Sequence, residues 1–184
     1  MGQIRAVSPV KLLAGLITAD LSLLEAVKKQ LEKEWGPVDS ESDIMDFTFT
    51  RYYEREMGSP LYRRFLSFQK LIDPGTLAGR KVFTNSLESE FTCAEGKRKV
   101  NIDPGYLAPA KLVLATTKDR SHRIYLGQGI YAEVTLLYHH GKFEPLPWTY
   151  PDYRTEAYRE YFARVREIIL RQEKGFLFGR GEES

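Results

Sequence analysis

The chain has 184 residues, enough for one domain with a sizeable hydrophobic core. Its 27 basic and 25 acidic residues leave a formal net charge of +2, which is too balanced to indicate a nucleic-acid or membrane partner from long-range charge alone. The single cysteine, Cys93, excludes an intrachain disulfide and a cysteine-based zinc site, so we expect a cytoplasmic protein. We expect neither a membrane span nor a secretory leader, because the apolar runs are too short for either.

The first predicted elements are a strand and a helix. The apolar run at 9–18 follows a proline and is typical of a buried strand. A helix is predicted at 22–35, where apolar residues recur at helical spacing and Gly36 follows the last of them. Ser22 and Glu25 in its first turn have the spacing of a capping box, in which each side chain accepts a hydrogen bond from the other residue's backbone amide.

Two paired strands and a second helix are predicted next. Alternation of apolar and polar residues at 43–53 and 61–72 predicts an antiparallel pair. Helical spacing predicts a helix over 77–91, and 99–102 has the composition of another strand. The resulting order β-α-β-β-α-β matches the ferredoxin-like plan, in which two helices cover one face of an antiparallel sheet.

A ten-residue phrase, Ile-Asp-Pro-Gly-x-Leu-Ala-x-x-Lys, occurs twice, at 72–81 and 102–111. The favoured interpretation is a pair of strand-to-helix corners, in which Asp73 and Asp103 each accept a backbone amide of the following helix. The second of these helices would begin at Pro109. Two alternatives stay open: both helix starts converge on one anion, or half of the domain has been duplicated.

The C-terminal half predicts a meander and a long helix. Residues 121–147 contain three short alternating runs separated by glycine turns, which predicts a three-stranded antiparallel meander. An apolar stripe at helical spacing predicts a helix over 155–174. We therefore expect a single α+β domain over residues 1–174, a ferredoxin-like core extended by the meander and the helix, and a flexible tail at 175–184.

The nucleotide-binding and metal-binding motifs with the sharpest signatures are missing. There is no G-x-x-x-x-G-K-[ST], and Gly127-Gln128-Gly129 lies in a predicted hairpin with no helix after it. There is no H-E-x-x-H, and the three histidines are too few for a metal site without distant carboxylates. We expect no site of the GTPase type.

Polar side chains that could hold a ligand concentrate at 101–135. One interpretation is an internal salt-bridge network that joins the meander to the sheet. The other is a pocket whose donors clamp a phosphate or carboxylate, while a neighbouring carboxylate acts as a base or holds a divalent metal such as Mg²⁺. The candidate ligand-binding residues are Asp103, Lys118, His122, Arg123 and Glu133.

A second kind of surface is indicated at 50–65, where basic and aromatic residues alternate. Such a mixture can follow a nucleic-acid backbone while its rings stack on bases, so an RNA- or protein-binding module is the alternative function. It would need Arg51, Tyr52, Arg63 and Arg64 on one flat exposed face. Acidic neighbours neutralise half of the charge, so we favour an edge hairpin with a charged face and expect no nucleic-acid partner.

The segment "VNIDPGYLAPAKLVLATTKDRSHRIYLGQGIYAEVTLLYHHGKFEPLPWTYPDYRT", with "KLLAGLIT" and "YYEREMGSPLYRRFLSFQKLIDPG" before it, resembles an uncharacterised prokaryotic family, domain of unknown function 4416. The resemblance covers roughly residues 5–170 and implies a single cytoplasmic domain, with no catalytic residues to carry over. Some members bear the label GTP-binding protein, but "TTKD" here lacks the Asn of an N-K-x-D motif. The sequence thus favours a pocket that binds or acts on a phosphorylated small molecule or nucleotide, and leaves open whether the protein is an enzyme.

Overall fold

The computed structural model describes residues 2–179, with side chains up to 173, and over this range nine strands form one antiparallel sheet with four α-helices. The strands are β1 Val10–Thr18, β2 Val38–Glu41, β3 Met45–Asp46, β4 Tyr62–Ile72, β5 Val100–Ala108, β6 Lys111–Thr116, β7 Ile124–Gly127, β8 Ile130–His139 and β9 Lys142–Pro145. The helices are α1 Ser22–Trp35, α2 Glu54–Met57, α3 Leu77–Glu90 and α4 Glu156–Gly179. The predicted mixture of helices with an antiparallel sheet is confirmed.

The sheet has the strand order β2-β4-β1-β5-β6-β8-β7, with β3 beside β4 and β9 beside β8. Helix α1 lies in the connection from β1 to β2, and α3 lies in the connection from β4 to β5. The predicted strand at 43–53 is largely wrong, because only the two residues of β3 pair with β4. The predicted meander is present as β7, β8 and β9, and it belongs to the same sheet.

Both faces of the sheet are covered by helices. One side of β1 packs against α1, and the other side packs toward α4. A strand buried on both faces reads as a continuous apolar run, which is the pattern of 9–18. The first core contains Leu12, Ala14 and Leu16 with Leu24, Val27 and Leu31, and the second contains Leu13 with Phe162, Val165 and Ile169.

The start of α1 is confirmed at Ser22, but the predicted capping box is wrong. Leu21 occupies the N-cap position and makes no side-chain capping bond. The Asp20 carboxylate instead accepts hydrogen bonds from the Ser22 amide at 3.0 Å and from the Ser22 hydroxyl at 2.6 Å. These bonds lower the pKa of Asp20, so the carboxylate that serves this helix start lies upstream of the predicted pair.

The two copies of the repeated phrase have different structures. Asp73 accepts a hydrogen bond from the Gly75 amide at 2.7 Å and begins a 3₁₀ turn that leads into α3, so the first corner is confirmed. Asp103 lies inside β5, so the second corner is wrong. The helix predicted from Pro109 is also wrong, since β6 follows after a tight turn.

The pairing of β5 with β6 explains this difference. It covers only four residue pairs, which join 105–108 to 111–114, and the earlier half of β5 has no neighbouring strand on that side. The Ile102 amide there donates to Glu88 Oε1 at 2.7 Å, and its carbonyl accepts from Lys81 Nζ at 2.9 Å. Two α3 side chains thus take the place of a strand where the sheet opens.

Pro104 and Gly105 fit the point where the sheet opens. Backbone groups alternate along a strand, so Pro104, two residues after Ile102, faces the same open edge, where its missing N–H costs no ladder bond. A Cβ on Gly105 would lie 2.5 Å from the Val113 carbonyl oxygen, so β6 can cross this closely only over a glycine.

The sequence of β6 predicts a helix because this strand is buried on both faces. Leu112 packs toward α4, and Val113 packs toward α3. A short apolar run of this kind has no period-two alternation, and its pattern is the same in a buried strand and in a buried helix.

Helix α4 confirms the predicted apolar stripe, with Tyr158, Tyr161, Phe162, Val165 and Ile169 in the core. It continues to Gly179, beyond the predicted end at 174. The rest of the predicted tail, 180–184, lies outside the described residues. Within the described range, no helix combines the length and apolar character needed to cross a membrane.

Candidate functional site

A cleft of about 460 Å³ lies beside the opening between β5 and β6. Its walls come from the coil after β3, from β4, β5 and α3, from the segment around the end of β6, and from 150–153. A cleft of this size falls in the range of small-molecule sites. Its aromatic lining consists of Phe47, Phe49, Tyr52, Tyr53, Tyr150 and Tyr153, and its charged lining consists of Arg63, Lys81, Arg98, Lys118, Arg123, Asp103, Glu133 and Asp152.

Four of the five residues predicted from sequence line this cleft: Asp103, Lys118, Arg123 and Glu133. The fifth, His122, is not part of the lining but contacts it, with Nε2 at 3.0 Å from Glu133 Oε2. The antiparallel pairing of β6 with β8 brings the loop that carries Lys118 and Arg123 next to Glu133. Four of the five predicted residues therefore share one concave surface.

Arg123 and Glu133 form a network in the cleft wall. Arg123 donates to Glu133 Oε2 at 2.8 Å, to the Lys118 carbonyl at 2.8 Å and to the Tyr150 hydroxyl at 3.0 Å. Glu133 is 3% exposed, and its second oxygen, Oε1, has no hydrogen-bond partner among the described residues. The salt-bridge network and the cleft are thus built from the same side chains.

Arg63 is a buried cation in the same wall. It is 3% exposed, and its Nη2 donates to Asp152 Oδ2 at 3.0 Å. Its Nη1 lies 3.9 Å from Asp103 Oδ2, too far for a hydrogen bond. Within the part of the chain that the structure describes, Nε and Nη1 have no hydrogen-bond partner. Both nitrogens are shielded from solvent, and the Tyr158 hydroxyl lies near the guanidinium.

The surroundings of Arg63 fix its position. Its guanidinium carbon lies 5.2 Å from the ring centroids of Phe47 and Phe65 and 5.7 Å from that of Tyr153. A Cβ on Gly15 would lie 2.7 Å from Arg63 Nη1, so the space for the guanidinium depends on this glycine. Aromatic faces and one missing side chain together hold the cation in place.

Asp152 and Glu88 are buried acids near the cleft. Burial raises the pKa of the Asp152 carboxyl, and the Arg63 guanidinium acts in the opposite direction. Burial likewise raises the pKa of Glu88, against the effect of Lys81. Both acids are held near cations, as buried charges require.

Asp103 lies among donors at the β5 side. It accepts a hydrogen bond from Asn101 Nδ2 at 2.7 Å, and its other oxygen is 3.5 Å from Lys81 Nζ. Its side chain is partly exposed. Asp103 is therefore an acceptor that a ligand in the cleft can reach.

Lys118 and Tyr52 lie next to each other at the exposed end of the cleft, which we call its mouth. The Lys118 ammonium lies 4.6 Å from the centroid of the Tyr52 ring. Among the described residues Lys118 forms no ion pair, so its charge is available to a ligand.

Sequence reasoning missed Arg63, Lys81 and Asp152 as parts of this site. A signal for Arg63 exists, because period-two alternation in β4 places it on the same face as Leu61 and Phe65, which are buried. The surface considered for RNA does not form, since Arg63 is buried while the adjacent Arg64 pairs with acidic residues near α1.

The described residues contain no group of three His, Cys, Asp or Glu side chains placed to hold a metal ion.

The fold and the cleft define a mixed α/β protein with one antiparallel sheet and a charged, aromatic-lined cleft of ligand size. The family model described as Domain of unknown function (DUF4416) matches residues 8–168, so the chain belongs to this family and the resemblance found in the sequence is confirmed. Neither the curated proteins nor the solved structures yield a match to this chain.

Proposed function

We propose that the cleft binds a small phosphorylated molecule and that the buried Arg63 guanidinium attracts its oxyanion. The observation that carries this proposal is a cation that is 3% exposed, lines the cleft and bonds to one carboxylate, that of Asp152. Its Nε and Nη1 are shielded from solvent, so the guanidinium acts on the ligand through its charge. An oxyanion carries the opposite charge and suits a site with such a cation in its wall.

The balance of charge supports the same proposal. Five basic and three acidic side chains line the cleft, so the lining has a positive excess. Lys118 at the mouth forms no ion pair among the described residues and gives a direct contact for the anion. Asp103 is partly exposed and is an acceptor for hydroxyl or N–H groups elsewhere in the ligand.

Different members of the predicted set have different roles in this proposal. Lys118 and Asp103 contact the ligand directly. Arg123 and His122 are positioning residues, because their hydrogen bonds hold the Glu133 carboxylate and the loop that carries Lys118.

Calorimetric titration with inorganic phosphate and ribose 5-phosphate tests the proposal. We expect both to bind to the wild type, and Lys118→Ala to weaken binding about tenfold, the effect of losing one charge-assisted hydrogen bond. Lys142→Ala is the matched control, since Lys142 is an exposed lysine outside the cleft and should leave affinity unchanged. Absence of binding to the wild type at millimolar concentrations would contradict the proposal.

We also propose that β1, α1, β2, β4, α3 and β5 follow the ferredoxin-like plan. The strand order β2-β4-β1-β5, with antiparallel pairing throughout and a helix in each of the two long connections, supports it. An experimental structure with a different strand order, or with a left-handed crossover, would overturn it.

We further propose a cytoplasmic location. The support is the single, disulfide-free Cys93, which suits a reducing compartment. Fractionation of cells that express the chain tests this, and recovery outside the cytoplasmic fraction would overturn it.

A further inference from the structure

We propose that the ligand of this cleft has a planar aromatic ring beside its phosphate and that the ring stacks at the mouth. This inference rests on the proposed phosphate binding. Its starting point is that three of the exposed large side chains of the described chain gather at one place. Phe49, Tyr52 and Tyr150 are 39%, 61% and 48% exposed, and all three line the cleft.

Tyr52 already presents a ring face to a charged partner. Lys118 Nζ lies 4.6 Å from its centroid, while Tyr53 packs against it nearly at a right angle, with the centroids 5.0 Å apart. A ligand ring that stacks on the Tyr52 face now covered by Lys118 would take the place of the Lys118 ammonium. Lys118 then becomes free to contact the phosphate, so the two ends of the ligand use one pair of side chains.

Tyr150 is fixed in place by the network described above. Its hydroxyl accepts a hydrogen bond from Arg123 Nη2 at 3.0 Å, and Arg123 is held in turn by Glu133. An aromatic side chain that is half exposed yet held at its polar end keeps its ring oriented at the cleft. The network therefore acts on the ligand through Tyr150, which gives Arg123 a positioning role at the mouth.

The depth of the cleft separates the two halves of the ligand. The Arg63 cation is buried, whereas the three aromatic side chains are exposed. A volume of about 460 Å³ is small in the range of ligand sites, which suits one ring with one phosphate. Nucleoside monophosphates and phosphorylated vitamin rings share this chemistry.

Titration calorimetry with a graded set of phosphates tests the inference. The set is inorganic phosphate, ribose 5-phosphate, AMP, UMP and pyridoxine 5′-phosphate, the last chosen because it cannot form a Schiff base with a lysine. We expect at least one ring-bearing phosphate to bind about tenfold more tightly than ribose 5-phosphate, since stacking on an aromatic side chain contributes on this scale.

Two tyrosine variants make the test specific. Tyr52→Ala should weaken the binding of the ring-bearing phosphates about tenfold more than it weakens the binding of ribose 5-phosphate. Tyr125→Ala should change neither, because Tyr125 is 60% exposed, as Tyr52 is, but lies outside the cleft lining. Both tyrosines are exposed, so the variants should fold as the wild type does.

The outcomes separate this inference from the proposal on which it rests. If only AMP or UMP binds tightly, the ring belongs to a nucleoside monophosphate. If only pyridoxine 5′-phosphate binds tightly, the ring belongs to a phosphorylated vitamin. Equal affinity for ring-bearing and ring-free phosphates, or an equal loss for all of them in Tyr52→Ala, overturns the inference and leaves phosphate binding in place. Failure of every phosphate to bind overturns the proposed function itself.

Discussion

At the scale of single residues, Arg63 and Arg64 are neighbours in β4 whose side chains lie on opposite faces of the sheet and in different environments. Arg63 is buried against aromatic rings and bonds to Asp152, whereas Arg64 pairs near the surface with Glu25 and Glu41. A buried pair that loses one partner leaves an uncompensated charge, whereas a surface pair contributes little.

We therefore expect Arg63→Met to lower the free energy of unfolding by about 3 kcal/mol, because Asp152 is left buried without its counter-charge. The neighbouring change Arg64→Met should cost less than about 1 kcal/mol. Urea denaturation of both variants measures the difference. In the double variant Arg63→Met/Asp152→Asn part of the loss should return, and equal stability of the two single variants would refute this account of Arg63.

Replacing Gly15 or Gly79 by alanine should change the stability of the fold in opposite directions, although each glycine follows an alanine in the sequence. A Cβ on Gly15 would meet Arg63 Nη1 at 2.7 Å and the Phe65 ring at 3.0 Å, whereas a Cβ on Gly79 in α3 has no atom within 4 Å. We expect Gly15→Ala to destabilise the fold by about 1–3 kcal/mol. Gly79→Ala should stabilise it by about 0.5–1 kcal/mol. Thermal unfolding of the two variants measures both signs, and a neutral Gly15→Ala would show that the guanidinium can move aside.

At the scale of elements, α2 is tied to the segment before β5 by one carboxylate. Glu56 accepts two hydrogen bonds of 2.8 Å from the Arg98 guanidinium, which also donates to Glu88. The Arg98 side chain lowers the pKa of Glu56 below its usual 4.5. This contribution to stability is fully present above the usual pKa and is lost as the pH falls through the lowered pKa.

We therefore expect Glu56→Gln to reduce the acid sensitivity of the fold below about pH 4.5. The variant should be less stable than the wild type at pH 7, and the two should approach each other as the pH falls. Because Glu56 is partly exposed, the difference should be small and should shrink with added salt. Melting temperatures between pH 3 and 7 measure it, with Glu95→Gln as the control, since Glu95 is an exposed acid in the turn between α3 and β5.

Most elements with a complete local pattern were predicted correctly, with 43–53 as the exception, and those defined by their neighbours were not. Strand β1, helix α1 and the meander each contain their own periodicity and turn residues. Residues 102–107 stay in the sheet because β1 runs beside all of them. The phrase at 72–81 leaves the sheet, since Ile72 pairs with Val10, the first residue of β1. No local pattern contains the information about which strand lies alongside.

The candidate site divides in the same way. Lys118, Arg123 and Glu133 were found because they are close in sequence and the meander keeps them close in space. Arg63 and Asp152 were not found, because they are 89 residues apart and meet only when α4 and the segment before it close over the sheet.

At the scale of the whole molecule, the cleft and the fold share one cause. The sheet is covered by α1 and α3 on one face and by α4 on the other, so a small molecule finds room where neighbouring strands separate. Strands β5 and β6 pair over only four residues, and Pro104 and Gly105 stand where this pairing ends. The cleft lies beside that point, between the unpaired part of β5 and the end of β6.

The backbone of Ile102 lies on the part of β5 that has no neighbouring strand on one side, where a strand of another chain could pair. Unpaired strand edges are templates on which other chains can add a strand and aggregate. The amide and the carbonyl of Ile102 are already bonded to Glu88 and Lys81, so this part of β5 has no free pair to offer. The same two side chains that permit an internal opening therefore also protect the protein from self-association through it.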